Sequence, residues 1–579
     1  MSNLIVNQKC ILDLFSDKKT TFLIPDYQRP YAWGETECQT LWDDLFNFTF
    51  PDNDVSKFDD NKNEYFLGPI VTFKNGDKLE VIDGQQRLTT LMLLLRAFYK
   101  RCKQSKGEQV EATEKQIEQC IWETDAFKKV NMNVLKIESE VATDDDKDEF
   151  LNILRTGEVD KNSKSRYAKN YRFFEEKINE FTFEYLDWYY LPVRVMNFCI
   201  LLPIEAESQD TALRIFSTLN DRGKPLSDAD IFKAQFYKYY SDKGEKDQFI
   251  ERWKDLEVLC NDLFPSSTNS SLDEIFTRYM YYERAKKGIR SSTTEALRKF
   301  YERDGYILLK NDETFENLIE LANFWKDVEY QNEDKFSLDV LKRLFVLNYA
   351  PNGMWTYFVS VYYMANRNDG HLDDNEFCQF LDKIIAFIWT YAVTNPGVNA
   401  LRSPVYAEMI KVVNGQPVTF DGYLFGSERV RKSFNNYEFN NYRPITKSML
   451  TWWAFQNPEQ QLLKLETKFD IEHIYARNRY EKEHSLSNRN QVENLGNKSI
   501  LEKSINIRAS DYRFIDKRDY YCGLRNTRGK ANEGTNIYEL RYMAKTKSDF
   551  TERDIEERYN TIIDGFIEFI DNNDLIDKE

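Results

Sequence analysis

One histidine in this chain has neighbours that could do hydrolytic chemistry. His473 lies in Phe469-Asp470-Ile471-Glu472-His473-Ile474, an apolar/polar alternation that reads as a strand. Glu493-Asn494-Leu495-Gly496-Asn497-Lys498-Ser499-Ile500-Leu501 follows, and Asn506 lies nine residues after Asn497. Hydrolysis of a phosphodiester needs an activated water, a fixed base and positive charge on the leaving oxygen. A histidine takes a proton near neutral pH if a partner orients its other ring nitrogen. Asp, Glu and Asn oxygens, completed by phosphate and water, suit Mg²⁺ or Mn²⁺ rather than Zn²⁺. On a strand Asp470 and Glu472 share one face and His473 takes the other, unless a bulge or twist brings them together. A lone strand-end histidine is more often just hydrogen-bonded. Here the Glu-His-Ile string, the Gly-Asn pair and the later Asn favour chemistry. The other two of the three histidines, His371 and His484, have no such company and read as structural or surface residues.

A second constellation sits near the other end. Lys78 to Ile82 alternates and reads as a strand, running into Asp83-Gly84-Gln85-Gln86 and then Arg87 to Arg96. Leu88, Leu91, Met92 and Leu95 fall on one helix face. The free backbone N–H groups of such a helix start attract anions. Gly84 permits close approach, Arg87 can supply a forked contact, and Asp83 could hold magnesium or orient a water. A plain turn is the alternative. Farther on, Ala212 to Asn220 reads as a helix ended by Asp221-Arg222-Gly223, with Ser227-Asp228-Ala229-Asp230 opening the next by a capping box. That joint leaves Asn220, Asp221, Arg222 and Lys224 unexplained, and they would suit a polyphosphate.

Several strings carry a resemblance. Ile24-Pro25-Asp26-Tyr27-Gln28-Arg29-Pro30-Tyr31-Ala32-Trp33, Phe66-Leu67-Gly68, Ile82 to Thr90 and Leu219 to Gly223 occur in the order of the motifs of the GmrS-like domain of GmrSD-type restriction proteins. That domain is similar to the ParB/sulfiredoxin fold. The resemblance implies binding and hydrolysis of a nucleoside triphosphate (GTP, ATP or CTP) at Gln28, Arg29, Asp83, Gly84, Gln85, Gln86, Arg87, Asn220, Asp221 and Arg222. The His-Asn-Asn order at the other end resembles the ββα-metal (HNH) nuclease that closes such proteins. It implies His473 as general base, Asn497 positioning the loop or the base, Asn506 as metal ligand, and Glu472 or Asp470 as second ligand. Two departures stand out: Tyr475-Ala476 where a proline is frequent, and Lys498 where an apolar residue is usual.

The elements that must position these residues form an α+β, multidomain and largely helical chain. Residues 1–240 mix short strands and helices and are expected to form the nucleotide-binding α/β domain. Residues 241–425 read as a helical middle region, with stripes such as Phe377 to Val393. Residues 426–579 read as the nuclease domain embedded in helices. The acidic patch Asp144 to Asp148 reads as a solvated loop or helix start. With 579 residues, two to four domains are expected. A net charge of −17 excludes a protein coated in nucleic acid along its length, yet Arg489 to Lys545 holds 12 Lys/Arg against 7 Asp/Glu. Arg508, Arg513, Lys517, Arg518, Arg525, Arg528 and Lys530, interleaved with Tyr512, Tyr520 and Tyr521, either track a DNA backbone or form a solvated helix face. The eight cysteines form no CxxC pair, and neither a leader nor a membrane span is apparent, so a cytoplasmic protein is expected.

Together these readings describe a nucleotide-regulated, metal-dependent endonuclease or nickase acting on double-stranded phage DNA that carries modifications. A homo-oligomer is left open. The rival reading is a nucleotide-switched DNA clamp whose HNH fold is inactive, and a third substitutes RNA or single strands for duplex DNA.

Overall fold

The computed structural model describes the chain apart from residues 1–4, 7, 18–19, 59–62, 126, 128, 142–143, 185–186, 210, 213–214, 216–226, 266–269, 292–294, 396, 398–400, 511, 525, 528–529, 532 and 578–579. Two compact units emerge, Met1–Asp255 and Leu256–Glu579, and helices predominate over strands in the chain. Among the described residues no helix is long and apolar enough to cross a membrane.

The first unit is built on a mixed sheet. Its strands are β1 (Ile5–Val6), β2 (Lys9–Cys10), β3 (Phe22–Ile24), β4 (Tyr65–Asn75), β5 (Lys78–Asp83), β6 (Ile137–Ser139) and β7 (Cys199–Ala206). They lie in the order β1-β7-β4-β5-β3-β6, with β2 also paired to β7. The β4–β5 hairpin turns at Gly76, whose φ of +62° is the left-handed conformation such a turn demands. Helix α1 (Gln85–Lys103) follows β5 directly. Leu88, Leu91, Met92 and Leu95 are buried as their spacing requires, and so are Leu93, Leu94 and Phe98. A helix apolar on nearly all sides must be enclosed. It packs on α2 (Arg166–Glu184) and on the helix Glu108–Ile121.

Helix α3 (Asp228–Asp242) opens with the expected capping box, Ser227 accepting from the Asp230 N–H and Asp230 from the Ser227 N–H. The preceding helix and the string Asn220, Asp221, Arg222 and Lys224 lie largely or wholly outside the described residues. The acidic patch is the expected helix start, with Asp146 at the cap and Asp148 in the first turn of the helix Lys147–Thr156. Asp144 is buried and accepts from the Tyr167 hydroxyl, while Asp145 pairs with Lys254 at 2.9 Å.

In the second unit, elements from the expected middle and terminal regions pack on one another. Helix α4 (Asp374–Thr394) carries the Phe377 to Val393 stripe and packs against α5 (Pro444–Ala454) and a C-terminal helix, Glu552–Asn572. Strand β8 (Phe469–His473) pairs antiparallel with β9 (Lys498–Glu502), which sets His473 opposite Lys498. Between them run α6 (Arg477–Glu483) and the loop to Asn497. Helix α7 (Lys503–Ala509) continues from β9 without a break and packs on both strands, and α8 (Phe514–Tyr521) packs on α7. The C-terminal helix, α9 (Glu552–Asn572), presses its backbone against the loop before β9.

Gly496 makes that close approach possible. A Cβ there would stand 2.0 Å from the Ile555 carbonyl oxygen and 2.8 Å from the Tyr559 nitrogen. Backbone on both sides leaves nothing flexible to yield. Gly496→Ala is therefore expected to destabilise the protein by about 3 kcal/mol, the upper end of ordinary overpacking. Denaturant melts of the two proteins check this, and equal midpoints would show that α9 does not dock there.

Candidate functional site

Strand alternation and the β8–β9 register place the His473 ring at the end of a two-stranded ribbon backed by α7. The ring is mostly buried, and its Nε2 faces Glu493 Oε2 at 3.4 Å. Burial holds the imidazole below its ordinary value, against the pull of Glu493. Glu493 gathers cations. Arg477 donates to Oε1 at 2.9 Å through Nε and lies 2.7 Å away through Nη2, while Lys498 Nζ stands 2.9 Å from Oε2. The hydrogen bond with His473, joined by those from Lys498, keeps this carboxyl far below the usual carboxylate range. Lys498 is wholly buried and also donates to the Phe439 carbonyl at 2.7 Å. The departure noted at Lys498 thus has a physical reason, an ion pair across from the histidine.

Asn497 is buried and fully used. Its Oδ1 accepts from the Tyr475 N–H at 2.6 Å, and its Nδ2 donates to the carbonyls of Tyr475 and Val492 at 3.0 and 2.9 Å. Of the two expected roles, these bonds serve the loop: they close the chain just past His473. The Tyr475 N–H is held here by the amide, so a proline at position 475 would leave Oδ1 without this donor.

Glu472 turns away from the ring. It is 3% exposed, and its Oε1 accepts from Lys517 Nζ at 2.7 Å and from the Tyr521 hydroxyl at 2.5 Å. Lys517, 1% exposed, also donates to the His473 carbonyl at 2.6 Å. This corrects the expectation that Lys517 tracks DNA: its ammonium anchors β8 from inside. The other expected cations are nearer the surface. Arg513 is exposed and pairs with Glu483 at 2.5 Å, Arg508 caps carbonyls of Ser504 and Glu533, and Arg518 donates to the Ala544 carbonyl at 2.6 Å. Tyr512 and Tyr520 stack at 6.0 Å, whereas Tyr521 is buried. Arg525, Arg528 and the Lys530 side chain fall outside the described residues.

Of the oxygens expected to hold a metal, Asp470 is half-buried and Asn506 lies on α7, while Glu472 is corrected: its carboxylate is already bound to Lys517 and Tyr521. Among the described residues no group of three or more His, Cys, Asp and Glu is arranged to hold a metal ion. An ion that keeps waters and takes one or two carboxylates beside phosphate, as Mg²⁺ does, fits such a sparse oxygen set. Zn²⁺ does not.

In the first unit the motif residues divide into ties and rim. Gln28 donates to the carbonyls of Val81 and Ile82 at 3.3 and 3.1 Å. Gln85 donates to the Arg29 carbonyl at 3.3 Å. Gln86 accepts from the Ala32 and Trp33 N–H groups at 2.6 and 3.2 Å and donates to the Pro30 carbonyl at 3.3 Å. These three glutamines are buried and bind the strand-to-helix turn to the Pro25–Trp33 segment. Asp83, Gly84, Arg87 and Arg29 remain. Asp83 accepts from the Gly84 N–H at 2.8 Å and is raised by burial, against the attraction of Arg87 and Arg29. Gly84 caps α1 at φ +93°. Arg87 donates to the Pro69 carbonyl at 2.9 Å. Its guanidinium lies 3.0 Å from where a Cβ on Gly68 would stand, at φ +117°, which explains the glycine of the Phe-Leu-Gly string. Arg29 Nε is buried with no hydrogen-bond partner.

Sequence reasoning missed Glu493 and Arg477 as neighbours of His473. The available signal was Lys498 itself, a charge at the position where the resemblance leads one to expect an apolar residue.

Two family models match the chain. The GmrSD restriction endonuclease N-terminal domain matches residues 11–237, and the GmrSD restriction endonucleases C-terminal domain matches residues 426–564. No curated protein sequence matches it significantly.

The pairing of Lys517 with Glu472 makes a stability prediction. Lys517→Met strands a buried carboxylate and is expected to cost about 3–5 kcal/mol, while Arg513→Ala, on an exposed side chain, stays within about 0.5 kcal/mol. Urea titrations distinguish the two. A Lys517→Met protein as stable as its parent would return Lys517 to the surface.

Proposed function

We propose, for a chain that belongs to the GmrSD restriction endonuclease family, that the cut is made in duplex DNA by an HNH-type centre at the β8–β9–α7 unit. Restriction endonuclease activity and DNA as a partner come with the family. The observation that supports the centre is the mostly buried His473 at the end of β8, facing Glu493 and followed by Asn497 and Asn506 within the residues matched by the C-terminal model.

His473 takes a proton from water, whose oxygen attacks phosphorus while the P–O bond to the leaving oxygen breaks. Asn497 keeps the strand end and its loop in register. Asp470, with Asn506, would hold Mg²⁺ or Mn²⁺, since Glu472 is already tied to Lys517 and Tyr521, and a bound ion would supply positive charge to the scissile phosphate. The sparse oxygen set supports Mg²⁺ or Mn²⁺ over Zn²⁺. Arg508, Arg513 and Arg518 are the cations proposed to meet the DNA backbone.

At the other end a ParB-like site takes a nucleoside triphosphate, GTP, ATP or CTP, and regulates cutting. The buried, unpartnered Arg29 Nε, the Asp83–Arg87 charges and the Gly84 cap at the start of α1 support it. A helix start leaves N–H groups unpaired, which suits phosphate. Phage DNA carrying modified bases is the proposed target, in a cytoplasmic defence role.

His473→Ala is expected to lower the cleavage rate by about 10²–10⁴-fold with an unchanged melting curve. A mutant that nicks plasmid like its parent would disprove the assignment. Cleavage is expected to need Mg²⁺ or Mn²⁺, to stop in EDTA, and not to be sustained by Zn²⁺. Arg87→Ala should weaken binding of a non-hydrolysable NTP by about ten- to a hundredfold, read by isothermal titration. Tight binding by the mutant would leave Arg87 a structural role only.

A further inference from the structure

We propose that Glu493 is the positioning residue for His473, holding the ring through Nε2 so that Nδ1 is the nitrogen presented to water. The inference rests on the nuclease reading above and adds a residue and an atom to it.

Among the described residues, the His473 ring has one hydrogen-bond partner, Glu493 Oε2, at 3.4 Å. A contact of that length orients a ring only if its acceptor is itself fixed. Glu493 is fixed at both oxygens, by Arg477 at Oε1 and by Lys498 at Oε2. Lys498 in turn has no freedom: it is wholly buried, held by the Phe439 carbonyl, and paired in register with His473 across the ribbon. The histidine backbone is held separately, by Lys517 on its carbonyl. The ring therefore has a tethered main chain on one side and a tethered carboxylate on the other.

The chemistry follows from which nitrogen is occupied. With the Nε2 proton directed at Glu493, the lone pair is on Nδ1. In the reaction a water O–H bond breaks and its proton passes to Nδ1. The electron pair left on oxygen forms the bond to phosphorus, and the leaving oxygen departs with the pair of the broken P–O bond and takes a proton from solvent. The ring then carries two N–H groups facing, on one side, a carboxylate. That interaction is stronger after the proton has moved than before it, which is the condition for helping the chemical step rather than binding. Catalytic hydrogen bonds are often long before substrate arrives.

Steady-state cleavage of plasmid DNA with Mg²⁺ by the full-length protein tests this. The variants are Glu493→Gln, which loses the charge, and Glu493→Gln combined with Lys498→Met, which also removes the ammonium left without its partner. Both should lower kcat about tenfold or more while KM for DNA stays within about threefold, and Glu493→Asp should regain part of the loss. Melting curves identify folded variants, and the double variant stands in if the single one unfolds. Unchanged kcat in a folded variant overturns the proposal. So does unchanged kcat with a lower KM, which would assign the carboxylate to competing with DNA phosphate. A parent enzyme that cleaves, and that loses cleavage at His473→Ala but not at Glu493→Gln, sinks this inference alone. A parent that cleaves no duplex, with or without nucleotide, removes the nuclease reading and this inference with it.

Discussion

An ammonium group taken out of water has to meet a carboxylate and further acceptors, or its burial costs several kcal/mol. The end of β8 is organised by that constraint. Lys517, 1% exposed, reaches from α8 to Glu472 and to the His473 carbonyl, and Tyr521 completes the carboxylate from the next turn of the same helix. The arrangement tolerates no slippage. A one-residue shift of β8 would put Glu472 on the other face and leave Lys517 unpaired. The place of His473 along the strand is thus tied to the one packing that satisfies two buried charges.

The same requirement recurs in the loop between the two strands. At its two ends, residues 474–476 and 495–497 are buried, and side chains supply partners for backbone groups there. Asn497 serves Tyr475 and Val492, and Arg558 of α9, itself paired with Glu539, donates to the carbonyls of Gly496 and Lys498 at 2.9 and 2.7 Å. Gly496 lets α9 come close enough for that arginine to reach. A long connection, anchored at both ends, can therefore carry Glu493 to a defined place beside the histidine.

In the first unit, neutral amides take this part. Gln28, Gln85 and Gln86 each bond backbone more than fifty residues away in sequence. Each offers both a donor and an acceptor without the desolvation cost of a charge. The charged members of the same strings, Arg29, Asp83 and Arg87, are left around the start of α1, where Gly68 and Gly84 keep the backbone close. A string that reads as one ligand-binding motif is, in space, a frame of amides with a charged rim.

Periodicity and turn chemistry determined the elements. The strand to Asp83, the helix after Gly84, the capping box at Ser227, the strand ending at His473 and the buried stripe of α4 all follow from residue types over a few positions, because local sterics and burial patterns need no distant partner. The strings at both ends carried the family. Partnership was decided by the tertiary structure. Glu493 is twenty residues from His473, Lys517 is forty-five from Glu472, and Arg558 is sixty-two from Gly496. A lysine reads as a solvent cation in any window of sequence, and Lys517 and Lys498 became internal anchors only because the fold closed over them. Whether a charge faces water or another charge depends on chain segments that local sequence does not contain.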